Sequence, residues 1–151
     1  MKITDQIQAD IVTAMKAKDA SALSTLRGLK TAISQAALLK GNINTEVDEQ
    51  EILQVIRKQI AQRQESATMF RQGGKDDAAA KEDAEAAILS AYLPAALSDH
   101  ELEAIVDQAI AQTSATTVKD MGKAMKFASE LAAGRADGKT LSAAIKSRLS
   151  A

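Results

Sequence analysis

Thr117-Val118-Lys119-Asp120-Met121-Gly122-Lys123-Ala124-Met125-Lys126-Phe127-Ala128, followed closely by Gly134-Arg135-Ala136-Asp137-Gly138-Lys139, is the stretch on which the reading of this chain turns. Thr117 with Asp120 three residues on has the form of a helix start, and Met121, Ala124, Met125, Ala128 and Leu131 recur at the spacing of one helical face. Gly134 closes that helix. Asp137 caps another, in which Leu141, Ala144, Ile145 and Leu149 turn inward while Lys146 and Arg148 complement its negative end. A helix, a tight corner and a second helix set the pattern for the rest of the chain.

Composition extends that pattern to an all-α fold. Hydrophobic residues make up 46% of the 151 but aromatics only 2%, and the apolar set is mostly Ala, Leu and Ile. Such a core comes from helices that approach closely, because few large side chains exist to fill wider gaps. A single proline leaves the main helix breaker nearly absent. A chain of this length accommodates one compact domain or two small ones. With no cysteine there are no disulfides or thiolate metal sites, and the single His100 cannot build a histidine-rich metal site. We therefore expect neither metal nor cofactor. The start, Met1-Lys2-Ile3-Thr4-Asp5, lacks a signal-peptide core and no run of 18 apolar residues exists, so a cytoplasmic protein without a membrane partner is expected.

Taken in order, the first helix carries Ile3, Ile7, Ile11, Ala14 and Met15 at helical spacing. Asp19 or Ser21 caps the second, with Ala22, Leu26, Leu29, Ile33 and Ala37 inward and Arg27 and Lys30 on its flank. From Ala20 to Thr45 there are three basic residues and no acid, which reads as a solvated flank or a docking flank. Gly41 ends this helix in a turn through Thr45, and Thr45 or Asp48 starts the third. Its stripe of Ile52, Val55, Ile56, Ile60, Ala67 and Phe70 also passes through Gln59 and Arg63, so Arg63 is a structural residue that needs a carboxylate from another helix. Gly73 and Gly74 make a helix-joining turn. An Ala-rich fourth helix follows, with Ala80, Ala84, Ala87 and Ile88 inward. Pro94 biases Leu93 out of helical geometry and marks the boundary between an N-terminal helical subdomain, 1–96, and a C-terminal three-helix subdomain, 97–151. Ser98 with Glu101 is a capping box opening the fifth helix, whose inner face is Leu102, Ile105, Val106, Ala109 and Ile110.

No catalytic residue is expected. The Gly134 to Thr140 corner is one residue short of a P-loop between its glycines and follows a helix rather than a strand. A serine nucleophile would have to rely on His100, which sits in an exposed first turn with no nucleophile elbow.

What remains is charge. The chain is nearly neutral at −1, yet Ser114 to Ala151 holds seven Lys/Arg against three Asp/Glu. Lys119, Lys123, Lys126, Arg135 and Lys139 are the candidate contacts to a polyanion, with Arg135 and Lys139 pointing outward from their tight bend. Gly122 lies where a better helix former would stabilise by up to about 1 kcal/mol, and with Gly138 it would let a ligand come close to the backbone. The alternative is a module for an acidic protein partner, with Met121 and Met125 offering adaptable packing. DNA is not expected as a ligand.

Several of these pieces together resemble the GatB/YqeY family. They are Leu26-Arg27-Gly28-Leu29-Lys30, Arg63-Gln64-Glu65-Ser66 with Phe70, Gly73-Gly74-Lys75-Asp76-Asp77, Tyr92-Leu93-Pro94, Asp120-Met121-Gly122-Lys123 with Met125, and Gly134-Arg135-Ala136-Asp137-Gly138. None is specific alone, but their order and spacing are. That family comprises free-standing YqeY-like proteins similar to the helical tail of the B subunit of the tRNA-dependent amidotransferase. The resemblance implies a two-part all-α fold and a link to tRNA, which the tail helps to hold. It also carries an association with carbon–nitrogen ligase activity using glutamine as amido-N-donor, although the glutaminase and the phosphorylating cradle lie outside the region of resemblance. The expected role is thus a non-catalytic accessory protein for tRNA or other RNA.

Overall fold

The computed structural model describes residues 2–41 and 47–150, and the architecture is all-α. Its helices are α1 (Ile3–Ala17), α2 (Ala20–Leu39), α3 (Glu49–Gln72), α4 (Asp76–Ser90), α5 (Asp99–Thr113), α6 (Met121–Ala132) and α7 (Gly138–Ser150), with a 3₁₀ turn at Val118–Asp120. The chain divides into two units, Met1–Leu93 and Pro94–Ala151. The division falls after Leu93 rather than after 96 because the Leu97 amide donates to the Arg135 carbonyl (3.2 Å) and Arg135 Nε donates to the Ala95 carbonyl (2.9 Å), tying that segment to the second unit.

In the first unit α1 and α2 form one hairpin and α3 and α4 another. Lys18 reverses the chain in a left-handed conformation (φ 55°), and the Asp19 carboxylate then accepts from the Ala22 amide at 3.1 Å, so Asp19 rather than Ser21 is the cap. Asp48 caps α3, accepting from the Gln50 amide at 3.4 Å; the expected turn residues Asn42, Ile43, Asn44 and Thr45 lie outside the described residues. At the α3–α4 corner Gly74 has φ +76°, which only glycine adopts without strain, and the Lys75 amide closes the turn onto the Phe70 carbonyl at 2.8 Å.

Ile7, Ile11, Leu26, Leu29, Ile33, Ile52, Ile56, Ile60, Ala86 and Leu89 make the core of this unit. Met15, expected inward, is 51% exposed, because α1 ends at Ala17 and only the Ile7, Ile11 and Ala14 line meets α2. The larger correction is α4. Its buried residues are Ala79, Glu85, Ala86 and Leu89, whereas Ala80, Ala84 and Ala87 face outward and Ile88 is half-buried. Alanines are spread around this helix and define no single apolar face, so its rotation is chosen by other groups. Those groups are Leu89, fully buried, and Glu85, which the Arg63 guanidinium holds.

Arg63 leaves the apolar stripe of α3 to meet Glu85 and, at 3.3 Å, Glu82, both on α4. Arg71, about two turns nearer the corner on α3, pairs with Asp83. A planar fork between two carboxylates fixes both the register and the rotation of α4 against α3. Arg63 Nε is buried without a partner among the described residues. At the end of the unit the Tyr92 hydroxyl donates to Asp10 of α1. Burial first, and then that carboxylate, push the phenol above its ordinary range.

The second unit packs α5, α6 and α7 around Val106, Ala109, Ala115, Ala124, Ala128, Ala132, Leu141 and Ile145. Five of these eight are alanine, so backbones come close and Leu141 and Ile145 supply most of the volume. Ser98 and Glu101 form the reciprocal capping box of α5, at 3.1 and 3.3 Å. Leu131 is 37% exposed rather than inward, since the line Ala124, Ala128, Ala132 faces the core.

Candidate nucleic-acid interface

The cationic candidates are placed by how α6 begins. The Asp120 carboxylate accepts from the Thr116 amide (2.9 Å) and the Thr117 amide (3.2 Å), which hold its pKa below the ordinary carboxylate range, with Lys123 adding to the effect. That knot fixes the 3₁₀ turn, and α6 starts one residue later.

Lys123 and Lys126, three residues apart, share one side of α6, Lys119 precedes them in the 3₁₀ turn, and all three are exposed. Ala124, Ala128 and Ala132 occupy the opposite side and are buried. Among the described residues none of these lysines makes an ion pair, although Lys123 lies in the field of Asp120.

The other two candidates lie outside α6. Arg135, expected to point outward, is engaged: Nε donates to the Ala95 carbonyl (2.9 Å) and Nη2 to Glu101 (2.8 Å). Two of its donors go to the segment that leads into α5, which no spacing within the corner could reveal. Lys139 is exposed in the first turn of α7. Of the remaining cations, Arg148 pairs with Asp107 and Lys146 is exposed.

Gly122 lies in the first turn of α6, on the lysine side. A Cβ there would meet nothing within 4 Å, and the same holds for Gly138, the first residue of α7. Among the described residues nothing packs where a side chain would start at either position, so neither glycine is needed there for internal packing. Asp137 caps α7 through the Thr140 amide at 2.7 Å. Met121 and Met125 are half-buried against the core of the second unit.

Other chemistry is sparse. A groove of about 400 Å³ is lined by Ile110, Ala111, Ala115, Thr116 and Leu149, with the Asp107–Arg148 pair beside it. Among the described residues no group of three His, Asp or Glu side chains is placed to hold a metal ion, and His100 is exposed. No described helix is long and apolar enough to cross a membrane. Sequence reasoning missed Glu85 as a buried carboxylate and Asp10 as the partner of Tyr92. The unpaired Arg63 in an apolar stripe was the one signal that a buried acid had to exist.

No curated protein matches the chain. A family model described as Yqey-like protein matches residues 4–149, which takes in every helix except the two ends, and the chain belongs to that family.

Proposed function

We propose that this protein is a non-catalytic accessory RNA-binding protein, with tRNA as its first candidate ligand, which contacts the phosphate backbone through the lysine side of α6. One observation carries the reading: Lys123 and Lys126 on one side of α6 and Lys119 in the 3₁₀ turn just before it are all exposed, and no described carboxylate pairs with them. Gly122 on that side leaves room for a sugar-phosphate chain to lie against the helix backbone. With one tyrosine and two phenylalanines in the chain, recognition rests on shape and charge rather than on stacked bases. Arg135 is no longer part of the contact set, and Lys139 is at most an outlying member. The reading carries a cytosolic location with it, as the place where tRNA is used.

An acidic protein partner could meet the same lysines, but that alternative relied on Met121 and Met125 as adaptable surface. Their packing against the core removes that support.

Titration of unfractionated tRNA at several salt concentrations tests the reading. Three phosphate contacts predict weak binding whose log–log salt slope is about −2 to −3. Changing Lys123 and Lys126 to glutamine should make the slope shallower by about 1.4–1.8 while the melting temperature stays put. Binding indifferent to salt, or unaffected by the two substitutions, would refute it.

A further inference from the structure

A second cationic surface lies on α2, in the first unit. The helix runs twenty residues without an acid. Ser24, Arg27, Gly28, Lys30, Thr31 and Ser34 are all exposed and, at 100° per residue, fall within about 160° of its circumference, opposite the buried Leu26, Leu29 and Ile33.

The polar groups of this face are left open. Arg27 makes no ion pair among the described residues, and the Lys30 ammonium donates to the neutral Gln8 Oε1 at 2.7 Å, so neither charge is compensated. The hydroxyls of Thr13, Thr25 and Thr68 each fold back onto the carbonyl four residues earlier. Those of Ser24, Thr31 and Ser34 have no partner among the described residues. Gly28 sits in mid-helix, where glycine is a poor helix former, and a Cβ there would meet nothing within 4 Å. The face therefore offers cations, free hydroxyl donors and bare backbone, and no negative charge. That combination matches phosphate and sugar oxygens, which accept from Arg, Lys, Ser and Thr side chains.

We propose that this face of α2 is a second contact surface for the phosphate backbone of RNA, separate from the lysines of α6. The inference rests on the RNA reading above and adds to it a site in the other unit. The test uses the full chain and unfractionated tRNA. Arg27→Gln with Lys30→Gln keeps side-chain bulk and a donor for Gln8, and circular dichroism checks the fold. Loss of two contacts should make the log–log salt slope shallower by about 1.4–1.8 and weaken binding at low salt. Arg27→Gln alone, at an exposed position without a partner, should shift the slope by about 0.7–0.9 and serves if the double variant folds poorly. If the α6 lysine substitutions weaken binding and the α2 substitutions leave affinity and slope unchanged, the α2 surface is refuted and the RNA reading stands. If only the α2 substitutions act, the α6 contact is the one refuted. Wild-type protein that shows no salt-sensitive tRNA binding overturns both.

Discussion

Arg135 and Glu101 lie 34 positions apart in the chain and meet at 2.8 Å. The same Glu101 oxygen accepts from the Ser98 amide in the capping box of α5, and Arg135 Nε holds the Ala95 carbonyl. One guanidinium thus binds the α6–α7 corner to the start of α5.

Arg135→Ala should therefore act on stability and leave RNA binding nearly alone. The pair is about 40% exposed and worth little by itself, but loss of the bond to Ala95 brings the total to about 1 kcal/mol. Urea denaturation should show the loss, while the tRNA salt slope stays at the wild-type value. A slope that fell with the substitution would return Arg135 to the contact set.

Removing Arg63 should be far more damaging. Glu85 is only 7% exposed, and without its partner a carboxylate stays buried on α4. Because Arg63 itself is partly exposed, the cost of Arg63→Ala should lie near the low end for a broken buried pair, about 3 kcal/mol. Adding Glu85→Leu should recover much of it. If the double variant is no more stable than Arg63→Ala, the buried charge is not the cause.

Gly122→Ala separates two roles of one residue. Space for the methyl group exists, so the helix should gain up to about 1 kcal/mol from the better helix former. If RNA lies against the bare backbone at this point, tRNA affinity should fall as the melting temperature rises. An affinity unchanged by the methyl group would remove close backbone approach from the reading.

Tyr92 and Asp120 should leave opposite marks on the pH dependence. The Tyr92 phenol is raised in the folded state, so its contribution is complete below the unfolded value near 10 and is lost as pH climbs beyond it. Tyr92→Phe should cost about 1 kcal/mol at neutral pH, with the gap to wild type closing in alkali. The Asp120 carboxyl is lowered in the folded state, so its contribution is complete above the unfolded value and fades as pH falls through the acid range. Asp120→Asn should thus flatten the acid limb of a stability profile. Chemical denaturation across the pH range reads both, and gaps that stayed constant with pH would contradict the assigned causes.

The helices, most of their ends and much of their inner faces were legible in the sequence because the forces that set them act within about four residues. Asp19, Ser98 with Glu101, and Gly74 mark ends through bonds to their own neighbours, and the Leu26, Leu29, Ile33 line repeats at the period of the backbone. The lysine side of α6 was readable for the same reason, since Lys123 and Lys126 share a face once the segment is helical.

Tertiary structure alone decided the rest. The rotation of α4 had no local preference, because alanine lies on every side, and Glu85 and Leu89 settled it against α3 and the core. Arg135 looked like a surface cation until the Pro94 to Glu101 segment came within reach of it. In both cases the deciding partner is twenty or more residues away in the chain, and a charge or a methyl group carries no mark in the sequence of which distant group will satisfy it.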